Sequence, residues 1–221
     1  MKFTGGIKLC GGMKVSPSAP ITYYYPLAVP TDPSSATWRA TNAPANWTFT
    51  PNVGYSSTAP LANCAFMFRD ATTFNTNISS WDVSTVTNMR DMFRGTINFN
   101  QPLDIWDVGN VVRMDDLFRE ANNFNQPLNS WDVSKVTTME QMFAGALAFN
   151  QDLDSWDTIN VTDMFSMFDN DPDSTGRSDG MVFNGNITTW DTSNVTVMAD
   201  MFESCKSFTQ DISSWDVSSV T

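Results

Sequence analysis

The chain of 221 residues carries 12 Lys and Arg against 24 Asp and Glu, a net charge of −12, and no histidine. The acidity excludes nucleic acid and anionic membrane as partners, because phosphate contacts need clustered Lys and Arg and here they are few and scattered. Without histidine, Ser-His-Asp and Cys-His catalysis and His-ligated metal are excluded too, while an apolar content of 41% suffices for a buried core.

Residues 1–60 differ in composition from the rest. The start, "MKFTGGIKLCGGMKV", holds no apolar run, so no signal peptide is expected. The stretch that follows is rich in Pro, Ser, Thr and Ala, and prolines such as Pro17, Pro20, Pro26 and Pro30 forbid long helices and central strands. Its aromatics, Tyr23 to Tyr25, Trp38 and Trp47, fit an ordered arm, a cap or an attachment module rather than a free tail. Cys10, Cys64 and Cys205 have no paired spacing and define neither a zinc site nor a disulfide framework.

From residue 61 the chain repeats. Tryptophans stand at 81, 106, 131, 156, 190 and 215, spaced by 25 residues except for one step of 34. A fixed period of this size marks a stacked repeat array. Each Trp is followed by Asp and preceded, seven positions earlier, by Phe. A Met column at Met89, Met114, Met139, Met164 and Met198 leads into Met-Phe or Leu-Phe pairs. Around each Trp the apolar residues alternate, which is strand spacing. Met139, Met142, Phe143 and Ala146 fall at i, i+3, i+4 and i+7, the spacing of one helix face. The expectation is an α/β solenoid: a leucine-rich-repeat-like stack of about six coils over 61–221, each with one short parallel strand and one short helical segment. The Met and Trp columns read as core, and Cys64 and Cys205 as small buried residues.

Three features stand outside the core. Asn75, Asn100, Asn125, Asn150 and Asn184 follow the Phe column and are expected to form an internal ladder that satisfies backbone groups at a coil corner. An insertion at about 169–180 reads "DNDPDSTGRSDG"; Asp169, Asp171, Asp173 and Thr175 have the alternate spacing of a calcium loop, but Gly180 stands where the loop's closing Glu belongs. Calcium is the one metal or cofactor this sequence suggests. The third is the Asp column, Asp82, Asp107, Asp132, Asp157, Asp191 and Asp216, which points outward if Trp and Val point inward.

The repeated phrase Phe-Asn-Gln-x-Leu-x-x-Trp-Asp-Val-Ser-x-Val-Thr-x-Met-x-x-Met-Phe resembles the BspA-type repeats, a leucine-rich-repeat-like family abundant in mycoplasma lipoproteins and in surface proteins of host-associated bacteria and some protists. The resemblance implies a surface-displayed adhesion or interaction protein and offers no catalytic residues to transfer.

Three readings of the Asp column stay open. Each Asp is fixed by its own coil's backbone and hydroxyls; or the column is an acidic stripe for a basic partner; or paired carboxylates hydrolyse glycosides. The expected function is a non-catalytic, exterior structural or adhesive repeat protein, at a cell surface or on a virion as a fibre or decoration, with a glycan depolymerase as the minor alternative. The last coil, ending "WDVSSVT", is expected to be covered by further repeats, by a partner protein or by copies stacked end to end. No membrane insertion is expected, since no stretch approaches the roughly 20 apolar residues of a spanning helix.

Overall fold

In the computed structural model the described residues are 7–9, 13–15, 63–170 and 180–221. Strand β1 (Ile7–Leu9) pairs antiparallel with β2 (Met13–Val15), with Lys8 opposite Lys14. The rest of the 1–60 module, including Cys10, lies outside the described residues.

From residue 63 onward the chain divides into six units that begin at Asn63, Asn88, Arg113, Thr138, Asp163 and Val197, each joined to the next by an isolated parallel bridge at its first residue. Successive units hydrogen-bond in register. The N–H groups of Met89, Asp91, Phe93 and Gly95 donate to the carbonyls of Arg113, Asp115, Leu117 and Arg119 at 2.8–3.0 Å. Between these, Met92, Arg94 and Thr96 donate to carbonyls three residues back in their own unit. Alternate N–H groups therefore hold the unit and the stack by turns.

The backbone differs from the expected strand and helix. Among the described residues of these units there is no α-helix and no strand beyond the single bridges. The reason is visible in the dihedrals. Asp91, Asp116, Gln141, Ser166 and Asp200 have φ of +48° to +58°, and Asp70, Gly95, Glu120, Gly145 and Ser204 have φ of +56° to +69°. Two left-handed residues four positions apart break any helix, which needs right-handed dihedrals and i→i−4 bonds throughout. The Met-x-x-Met-Phe segment is a run of turns instead. The 3.6-residue spacing still describes burial, because Met139, Met142, Phe143 and Ala146 are all fully buried. Likewise Trp131 and Val133 are buried around exposed Asp132, but Trp131 N donates to Leu128 O in a turn, not to a sheet.

The core is a set of columns. Phe68, Phe93, Phe118, Phe143, Phe168 and Phe202 stack with ring centroids 5.4–5.7 Å apart. A second column, Phe74 to Phe208, runs beside it and meets it at 3.9–4.4 Å in every unit. Such stacked pairs add about 0.5–1.5 kcal/mol beyond their burial. The Trp column has a polar task too. The indole N–H of Trp106, Trp131, Trp156, Trp190 and Trp215 donates to the carbonyl of Ile78, Leu103, Leu128, Leu153 and Ile187 of the preceding unit, at 2.8–3.3 Å. Phe or Leu in that slot would leave the inter-unit bond unmade.

Candidate functional site

Each residue of the Asp column caps its own turn. Asp82 Oδ1 accepts from the Ser84 N–H at 3.1 Å and the Ser84 hydroxyl at 2.6 Å, and Asp191 takes Ser193 in the same way at 3.0 and 2.6 Å. Asp107, Asp132, Asp157 and Asp216 accept the N–H two residues on at 2.9–3.2 Å. These are Asx-turns, the local competition of a short carboxylate with regular structure. The serine hydroxyl first, and its backbone N–H second, hold the carboxyls of Asp82, Asp132, Asp191 and Asp216 below the usual carboxylate range. All six are exposed. A Cβ added to Gly109 would lie 3.1 Å from Asp132 Oδ2 and 3.4 Å from Asp107 Oδ1, so neighbouring carboxylates flank that glycine.

The Asn column joins the units. Asn75, Asn100, Asn125 and Asn150 each accept, through Oδ1, the backbone N–H of the next column member at 2.7–3.0 Å, and Asn184 accepts that of Thr209 at 2.8 Å. Gln101, Gln126 and Gln151 add a second donor to the same oxygens at 2.8–2.9 Å. The ladder is not internal: its members are exposed or half-buried, because the corner they serve lies at the surface.

Of the calcium-loop residues only Asp169 is described, and it is buried; Asp171, Asp173 and Thr175 lie outside the described residues. Among the described residues no group of three or more Asp, Glu, Cys or His is arranged to hold a metal ion. Cys64 and Cys205 are buried. Burial pushes the Cys205 thiol up to about 11, far from a nucleophile's range.

One constellation comes together only in the folded chain. The arginines are not scattered: Arg69, Arg90, Arg94, Arg113 and Arg119 share one face of units 1 to 3. Asp91, whose side chain is 1% exposed, faces Arg69 at 3.4 Å, Arg90 at 3.1 Å and Arg94 at 3.3 Å. Asp115, 2% exposed, holds Arg113 in a two-pronged contact at 3.0 and 2.9 Å and meets Arg90 at 3.1 Å. Asp116 meets Arg94 at 3.7 Å and Arg119 at 3.3 Å, and Arg119 continues to Gln141 at 2.6 Å. Burial, and then the neighbouring Asp91, raise the Asp116 carboxyl; burial and the acids Asp163, Asp116 and Asp115 raise Glu140. The sequence signal was a period-25 Arg column, Arg69, Arg94 and Arg119, set beside the acids at 91 and 116.

Stacked units built from a common phrase, joined by ladders of side chains, define a repeat protein. The chain matches the family model described as "Mycoplasma protein of unknown function, DUF285" over residues 62–179 and again over 178–221, and it belongs to that family. No curated protein and no solved structure matches the chain.

Proposed function

We propose that this is a non-catalytic exterior repeat protein of BspA-like kind, a leucine-rich-repeat-like solenoid that attaches to a surface or protein partner through its exposed columns. One observation supports this most: six carboxylates stand in line, each held by its own turn in the same way. A hydrolytic pair needs one raised acid and one ionised base at a differentiated position; Asp82, Asp132, Asp191 and Asp216 are instead all lowered by the same serine contacts. An aligned set of exposed carboxylates attracts a basic partner instead. Asn keeps the Asx-turn and removes the charge, so a chain with Asp107→Asn, Asp132→Asn and Asp157→Asn stays folded and loses binding to a polylysine-coated interferometry sensor. Parental binding by that variant would sink the acidic-stripe reading.

Association through unit 6 belongs to the same proposal. Unit 6 has a depression of about 600 Å³ lined by Met198, Met201, Phe202, Ile212, Trp215 and Val217 together with the polar Asp200, Glu203 and Ser213. Light scattering at rising concentration tests it: association weakened by Val217→Lys supports it, and a monomer throughout overturns it.

A further inference from the structure

Phe66 breaks the pattern of its column. The equivalent positions hold Asp91, Asp116, Gln141, Ser166 and Asp200, all polar. Short polar side chains tolerate the left-handed conformation these positions require; a bulky aromatic does so only under strain. Phe66 nevertheless has φ of +63° and remains partly exposed. Strain of this sort, held against the local preference, marks positions kept for a function.

Its surroundings state what that function is. The guanidinium carbons of Arg69 and Arg90 lie 5.6 and 5.7 Å from the Phe66 ring centroid. Arg90 is 42% exposed, and its Nε is anchored at 3.1 Å to both Asp91 and Asp115. Both carboxylates are sealed from solvent, so they orient the guanidinium without facing a ligand. The two terminal nitrogens of Arg90 make no hydrogen bond among the described residues, on a side chain that is partly open to solvent. Arg69 Nε is buried without a hydrogen-bond partner, 3.9 Å from Asp70. A pre-oriented guanidinium edge takes a carboxylate in two parallel bonds, which a free, flexible arginine does only at an entropic cost.

We infer that Phe66, Arg69 and Arg90 form a shallow binding site for a carboxylate-bearing sugar residue, as in an acidic surface glycan. The carboxylate lies against the terminal nitrogens of Arg90, and the C–H surface of the sugar packs on the exposed part of the Phe66 ring. A peptide finds no main-chain donors here, since the N–H groups of Cys64, Phe66, Phe68 and Asp70 all donate to unit 2. The inference rests on the attachment reading only for its purpose; sugar binding is read on the isolated chain, so the two fail separately.

The test titrates the isotopically labelled chain with glucuronate, N-acetylneuraminate, glucose and acetate and follows backbone amide shifts. Saturable shifts centred on residues 66, 69 and 90, with a dissociation constant on the order of 1 mM for an acidic sugar, are expected. Arg90→Gln weakens that binding at least about tenfold, the loss of a two-pronged charged contact. Phe66→Asn restores the polar character of the column, relieves the strain and raises the melting temperature while abolishing binding, which a merely structural ring would not do. The inference is overturned if neither acidic sugar binds at about 20 mM, if glucose or acetate binds equally well, or if Phe66→Asn binds like the parent.

Discussion

Units 1 to 3 and units 4 to 6 share one core and differ on one face. Along a single column the residues run Arg69, Arg94, Arg119, then Ala144, Asp169 and Glu203. In units 2 and 3 the left-handed slot holds Asp91 and Asp116, buried beneath arginines, while unit 1 has Phe66 there; in the second half that slot holds Gln141, Ser166 and Asp200. The same backbone is therefore compatible with an ion-paired lateral face and with one whose matching columns carry no arginine. The stack itself comes from the Phe and Trp columns and the inter-unit bonds, which run through both halves; the charge network is an addition to it. A buried ion pair seldom adds net stability over apolar packing, but it is costly to break once present.

The largest expected effect breaks this comparison directly. Asp91→Asn keeps the shape and the tolerance for φ of +54° but leaves Arg69, Arg90 and Arg94 short of their shared acid. It should cost about 3 kcal/mol. Ser166→Ala at the matching position of unit 5 should cost no more than about 1 kcal/mol. Urea midpoints of the two variants check this; equal losses would show that the halves do not differ.

Next in size is the Trp column, where the halves should agree. Trp131→Phe and Trp190→Phe each retain an aromatic but lose the indole N–H bond to Leu103 and Leu153. Each should cost about 1–2 kcal/mol. A loss in one half only would mean that the core is not continuous.

The pH dependence sharpens the comparison further. Asp82, Asp132, Asp191 and Asp216 are lowered from 3.8, so the stability they contribute is present above that value and is lost as the pH falls through their folded range. Asp116 is raised from 3.8, so its protonation favours the folded state on acidification, and the stability so gained is lost as the pH rises through its folded range. Carboxyl resonances should show Asp116 and Glu140 titrating above Asp82, Asp132, Asp191 and Asp216. The reverse order would overturn the burial argument.

The smallest effect is Ser84→Ala. Asp82 keeps the backbone N–H and loses the hydroxyl, becoming like Asp107 beside Gly109. Its carboxyl should move back towards the ordinary value, with stability changed by less than about 0.5 kcal/mol.

The sequence by itself determined the period, the unit boundaries and which columns are buried, because apolar side chains repeating at 25 residues have to share one core. It also placed the Asp column outward, between two buried neighbours. It did not disclose the left-handed backbone at Gln141 and Gly145, because burial spacing reports which side a residue faces and not the dihedrals that turn it there. Nor did it disclose the acceptor of each tryptophan, a carbonyl 28 or 37 residues back. The pairing of Arg69 with Asp91 and of Arg94 with Asp116 was likewise decided only by tertiary structure. Stacking brings residues 22 positions apart within ion-pair distance, and burial then makes each arginine's position depend on the acid of the next unit.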